Sequence, residues 1–235
     1  FLIRETKWLS KQKKKASSSM ALILSIESAT TNCSVAIADN GKLLHLVEDA
    51  SQGYSHGEQL HTFIDQVLLG AGKTLDQLDA VAVSKGPGSY TGLRIGVSAA
   101  KGLCYSLDLP LIALPTLDIM VQAADQKADI IIPMLDARRM EVYAGIYDSD
   151  KKQVRATQAE ILDSDSYKEV LASGSVLFYG NGAEKWASLC SHPNASFAVN
   201  TLPSAKDMSL LAQQAYDQEV FEDVAYFEPF YLKDF

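Results

Sequence analysis

Several stretches of the sequence carry residue types whose spacing could do chemistry. Gly53-Tyr54-Ser55-His56-Gly57 satisfies G-x-S-x-G, the pattern of a serine-hydrolase nucleophile elbow. An elbow turns directly off its strand, whereas Asp49 to Gln52 separates Ser55 from the nearest strand-forming run. Ser55 and Glu58 also fit a capping box, in which the hydroxyl accepts from the third helical amide and the carboxylate reaches back. His56 and His61 would lie about 140° apart on a helix of 3.6 residues per turn, too far round to share a metal ion. The i, i+4 HExxH spacing of a helical zinc site is absent, and His45 and His192 join no cluster. Gly72-Lys73-Thr74 ends like a phosphate loop, but Val67 stands where its first glycine should be, and the stretch follows a helix instead of a strand. No catalytic residue and no metal ligand is assigned.

Two further segments stand out. Asp136-Ala137-Arg138-Arg139-Met140-Glu141 is a dense charged knot between two strands. As a turn it requires no function, although adjacent arginines and a carboxylate could orient a partner or an anion. Ser84 to Gly96 reads S-K-G-P-G-S-Y-T-G-L-R-I-G. Its glycines lie where a strand meets a helix N-terminus, so free amides there suit an anion or a closely packed neighbour. Gly86, Gly88, Ser89, Thr91 and Arg94 are the candidate contacts for a nucleotide phosphate or another anion. On the helix that follows, apolar and small residues from Gly92 to Leu107 cover about 200° of the circumference, twice the stripe that one packed face needs. Such a helix is either sandwiched inside the fold or packed against a second protein.

The elements that must position these residues follow from periodicity. Leu22 to Ser28 and Cys33 to Asp39 read as strands, with Leu43 to Glu48 returning antiparallel after the Asn40-Gly41 hairpin signal. Leu60, Phe63, Ile64, Val67 and Leu68 form one helical stripe that Gly70 and Gly72 end. Val81 to Ser84 predicts a strand, Thr91 to Leu107 a helix, and Leu111 to Leu114 a strand closed by Pro115. The second half repeats this pattern, with strands over Ile130 to Asp136, Glu141 to Tyr147 and Val176 to Tyr179, and helices near Ser166 to Ala172, from Ala183, and over about Ala205 to Tyr216. Strand triplets followed by alternating helices and strands, twice over, indicate an α/β protein of two similar halves.

The chain has 235 residues, a net charge of −8 and 47% apolar residues, values typical of a soluble globular protein. No apolar run approaches the roughly 20 residues of a bilayer-spanning helix, so no membrane is expected. Cys33, Cys104 and Cys190 lie far apart, which suits reduced cytoplasmic thiols better than a disulfide framework or a zinc knuckle. Residues 1–19 hold six of the basic residues (Arg4, Lys7, Lys11, Lys13, Lys14, Lys15) and one acid, and read as a leader or appended segment before a start at Met20. Residues 20–235 then carry about −13, which argues against extensive docking on DNA or RNA.

The opening I-L-S-I-E-S-A-T-T-N-C-S-V-A-I-A, the Ala80 to Leu103 segment, P-M-L-D-A-R-R-M-E-V-Y-A and the terminal Pro229-Phe230-Tyr231-Leu232-Lys233 together resemble the TsaB (YeaZ) family, over essentially Met20 to Lys233. Glu27 stands where many relatives have Asp, and Lys233 where Arg is frequent. The resemblance implies an actin/Hsp70/sugar-kinase-like (ASKHA) fold of two similar lobes, each a mixed sheet with flanking helices: 20–117 plus 205–222, and 118–204, with 223–235 as a tail. It implies a role in forming threonylcarbamoyladenosine beside the tRNA anticodon, as a non-catalytic scaffold for the paralogue TsaD. The stretch matching the metal-binding histidines of TsaD, Leu114 to Met120, has no histidine. TsaD is the implied partner, with TsaE as a further candidate, a homodimer when the chain is alone, and tRNA reached only indirectly. No cofactor is expected on the chain alone, with room for ATP or ADP at the paralogue interface. The implied pairing surface is the two helices, through Leu60, Phe63 and Val67 on the first and Gly92, Leu93, Arg94, Gly96, Val97, Ala100 and Lys101 on the second. The alternatives are a stand-alone nucleotide-dependent transferase of the same fold and a serine hydrolase using Ser55.

Overall fold

Two five-stranded sheets organise the chain in a computed structural model that describes residues 20–51 and 56–232. In the first, β1 (Leu22–Glu27), β2 (Cys33–Asp39) and β3 (Lys42–Asp49) form an antiparallel meander, and β4 (Ala80–Gly86) and β5 (Leu111–Pro115) continue it in parallel, in the order β3-β2-β1-β4-β5. The second contains β6 (Ile130–Asp136), β7 (Glu141–Asp148), β8 (Gln153–Ile161), β9 (Val176–Tyr179) and β10 (Ala195–Ala198) in the order β10-β9-β6-β7-β8. Both sheets are therefore the same sequence of three antiparallel strands followed by two parallel ones. That duplicated plan agrees with the expected fold of two similar lobes, each a mixed sheet with flanking helices. Asn40 (φ 51°) and Gly41 (φ 72°) both take the left-handed conformation that an Asn-Gly hairpin needs.

Among the described residues six helices flank the sheets: α1 (His56–Ala71), α2 (Tyr90–Leu107), α3 (Thr116–Gln122), α4 (Lys168–Ser173), α5 (Ala183–Ala187) and α6 (Ser209–Asp217). Every residue of β1 is buried because this central strand is covered on both faces. Leu22, Leu24 and Ile26 join Val35, Ile37, Val81 and Val83 beneath α1 and α2. Strand alternation turns Ile23 and Glu27 to the opposite face, where Ile23 meets Ala205, Met208 and Ala212. The second sheet holds its own core, in which the rings of Tyr167, Phe178 and Trp186 meet edge to face at 5.4–6.0 Å. α3 lies between the two, with Ile119 in the first core and Leu117, Met120 and Val121 packed with Ile131 and Leu177.

Three elements have no counterpart in the periodicity reading. β8 is an edge strand with most residues exposed or half-buried, so it carries no strong apolar alternation. β10 is a four-residue edge strand, and α3 begins directly behind Pro115, where the preceding strand signal ends. The final helix divides into a 3-10 turn, Ala205–Met208, and α6. Ser55 lies outside the described residues, as do residues 1–19 and Lys233. Among the described residues no helix is long and apolar enough to cross a membrane.

Candidate functional site

The Ser84 to Gly96 segment packs on the β1–β2 connection at backbone contact. A Cβ at Gly88 would overlap the Ala29 carbonyl oxygen, one at Gly92 the Ser28 carbonyl oxygen, and one at Gly96 the Ser28 hydroxyl. At Gly86, where φ is +109°, a Cβ would stand 2.6 Å from the Phe230 carbonyl oxygen. Ser89 caps α2: its Oγ accepts from the Gly92 N–H at 3.3 Å, and its own N–H donates to Ala29 O at 2.7 Å. The Ser28 hydroxyl donates to Gly92 O at 2.9 Å. Carbonyl oxygens thus fill the Cβ side of Gly86 and Gly88, and the Ser89 N–H and Oγ are both engaged within the chain, so the immediate neighbours of these three residues are the β1–β2 connection and the C-terminal segment. Thr91 and Arg94 stay exposed. Arg94 donates to the Tyr90 hydroxyl at 3.1 Å with its guanidinium 5.3 Å from the Tyr90 ring, and that ring lies 5.1 Å from Tyr231.

The pairing rows need correction. Leu60, Phe63, Val67, Leu93, Val97 and Ala100 are each 9% exposed or less and belong to the chain's own core beneath β1, β2 and β4. Gly92 and Gly96 face Ser28, so they too point inward. Lys101 is not a free rim charge: its Nζ donates to Phe227 O at 2.8 Å and Ala225 O at 3.3 Å, fastening the C-terminal segment across α2. Of the ten residues assigned to the surface, only Arg94 stands open.

One row further round α2, Ile95, Ala99 and Leu103 are half-buried and Ser98 and Gly102 exposed. Together with His61 and Gly57 of α1 and with Arg94 they border an open groove of about 500 Å³ between the two helices. Gly57, Ala99 and Gly102 are its small residues, and Ile95 and Leu103 its larger apolar ones. The signal for this row is present in the sequence, since Ile95, Ala99 and Leu103 belong to the wide apolar arc.

On the opposite face of the first sheet, Glu27 is the one fully buried carboxylate among the described residues. Its Oε1 accepts from the Ala29 N–H at 2.6 Å, and its Oε2 has no hydrogen-bond partner. Burial pushes this carboxyl up to about 7 against the opposing pull of the Ala29 amide. Burial likewise raises Asp207, on the 3-10 turn that covers this face, to about 6. Among the described residues no three His, Cys, Asp or Glu side chains gather closely enough to hold a metal ion.

Residues 48–234 match the family model TsaD: tRNA N6-adenosine threonylcarbamoyltransferase. The chain is 31% identical over 227 residues to the tRNA threonylcarbamoyladenosine biosynthesis protein TsaB of Haemophilus influenzae, covering 90% of this chain and 93% of that protein. It is 30% identical to the Escherichia coli TsaB protein over 220 residues, 90% and 94% of the two chains. The solved structure of YeaZ from Pseudomonas aeruginosa superposes with a TM-score of 0.76 at 26% identity, over 91% of this chain and all of that one. Similarity of this extent, on a duplicated-sheet fold that carries the Ser84–Gly96 segment and its two helices, places the chain in the TsaB (YeaZ) family of tRNA threonylcarbamoyladenosine biosynthesis proteins.

Proposed function

We propose that this chain is an accessory subunit that pairs with a TsaD-family paralogue through the α1–α2 groove, while the paralogue carries out threonylcarbamoyl transfer to tRNA. The groove carries the reading. Its two helices have already committed their inner faces to the core, yet keep a second, apolar and small-residue row open to solvent. Apolar surface of that kind is stabilised by burial against a partner, and small residues let a partner helix come close. The match of the TsaD-family model to residues 48–234 supports a paralogue of related design as the partner, and a second copy of this chain would take that place when the paralogue is absent. This role asks for no cofactor bound by the chain itself.

Gly102→Glu tests it. Gly102 is exposed and has no atom within 4 Å of an added Cβ, and leaving glycine in a helix interior gains about 0.5 kcal/mol. The variant should therefore melt at or slightly above the wild-type temperature. Its carboxylate would be buried unpaired in the complex, so affinity for the TsaD-family protein should fall at least 100-fold by titration and size exclusion, with tRNA modification in a reconstituted mixture falling in step. A folded Gly102→Glu protein that pairs with wild-type affinity would sink the groove assignment.

A further inference from the structure

The β6–β7 hairpin tip is the charged knot that the pairing role leaves unused. Arg138 (φ 72°) and Arg139 (φ 48°) are consecutive left-handed residues, a conformation natural to Gly and Asn and adopted reluctantly by a long side chain. A tight hairpin connection imposes this conformation, and here it sets two arginines at the tip. Both are exposed, and among the described residues neither guanidinium makes a hydrogen bond or an ion pair. The adjoining carboxylate is occupied elsewhere: Asp136 Oδ1 accepts from the Arg138 N–H at 2.6 Å and from Lys185 Nζ at 2.7 Å. Lys185 also donates to Glu141 O at 3.0 Å, so a third cation braces the base of the hairpin. Asp136 is thus paired with Lys185, and both guanidinium forks are left exposed.

We propose that Arg138 and Arg139 form a phosphate-contact point through which this chain touches the tRNA backbone. The guanidinium fork matches two phosphate oxygens at once, and two adjacent forks suit neighbouring phosphates on one strand. RNA is the polyanion at hand, because the family acts in tRNA modification. With a charge of about −13 on residues 20–235, RNA contact there falls to local basic points such as this tip, since charges beyond a Debye length of about 8 Å are screened at physiological salt. The tip belongs to the second sheet, whereas the groove lies over the first.

The experiment uses the full chain, alone and with the TsaD-family protein, and labelled unmodified tRNA titrated by fluorescence anisotropy between 25 and 200 mM salt. R138N/R139N removes both charges while supplying a residue that tolerates the left-handed conformation, so its melting temperature should not fall. Its tRNA affinity should drop about tenfold or more at low salt, and the salt slope should flatten by about 1.5 to 2, the value for two lost phosphate contacts. R138K/R139K should keep the slope. Unchanged affinity and slope in a folded R138N/R139N protein would overturn the proposal, as would wild-type preparations that show no tRNA binding. Loss of pairing with the TsaD-family protein while tRNA affinity is retained would equally overturn it, by making the tip a contact for an acidic protein surface. At protein concentrations low enough to keep both proteins monomeric, Gly102→Glu should keep the wild-type salt slope for tRNA, which separates a failure of the groove from a failure of the tip.

Discussion

Gly96→Glu is expected to unfold the protein rather than to release a partner from it. Gly96 is buried in α2, and an added Cβ would overlap the Ser28 hydroxyl, with Ser28 Cβ at 3.4 Å and Ile26 Cγ2 at 3.6 Å behind it. That hydroxyl cannot swing away without losing its bond to Gly92 O at 2.9 Å. The Ser28 main chain cannot retreat either, because it follows directly on Glu27, which is paired with Ser34 at the end of β1. Glutamate adds an unpaired charge to this contact, a penalty of several kcal/mol against a total stability of about 5–15 kcal/mol. Gly96→Ala, which brings the overlap without the charge, should give an intermediate loss. Thermal and urea melts of the two variants beside Gly102→Glu would show the ordering, and a Gly96→Glu protein melting within about 2 °C of wild type would refute the close-packed reading of α2.

The contrast between Gly96 and Gly102 shows what periodicity can and cannot carry. Leu93, Val97, Ala100 and Cys104 repeat at helical spacing, and so do Ile95, Ala99, Gly102 and Leu103. Both rows are equally visible in the sequence. Which one faces the sheet is decided by Ser28, far away in the chain, because only the row containing Gly92 and Gly96 lets α2 settle against that residue. Lys101 departs from a rim position for a related reason: its partners are the main-chain carbonyls of Ala225 and Phe227, which leave no mark in side-chain pattern. The central strands are legible because burial on both faces leaves continuous apolar runs, as in β1 and β9. The edge strands β8 and β10 are not, since β8 has no buried residue to mark an apolar alternation and β10 is only four residues long.

Within the apolar run of β1, Glu27 is the exception, and it should make stability fall as pH rises. Its folded-state carboxyl is raised from 4.5 to about 7, so between these values the folded protein holds a proton that the unfolded chain has released. Stability from this group is therefore fully present below about pH 4.5, declines as pH rises towards 7, and levels off above it. A displacement of this size corresponds to roughly 3 kcal/mol. Asp207, raised to about 6, acts in the same direction over a lower range. Glu27→Gln should remove most of the decline. Its amide oxygen can keep the Ala29 N–H, bonded at 2.6 Å in the native protein, while the amide nitrogen takes the place of the unpartnered Oε2. The variant should match wild type at pH 4.5 and exceed it by about 3 kcal/mol at pH 8 in urea titrations. An unchanged pH slope in Glu27→Gln would place the titration elsewhere. Because Glu27 ends the strand and Ser28 and Ala29 form the seat of α2, loosening at this carboxylate should reach the groove. Pairing affinity of the wild-type chain should then weaken between pH 6 and 8, and that of Glu27→Gln should not.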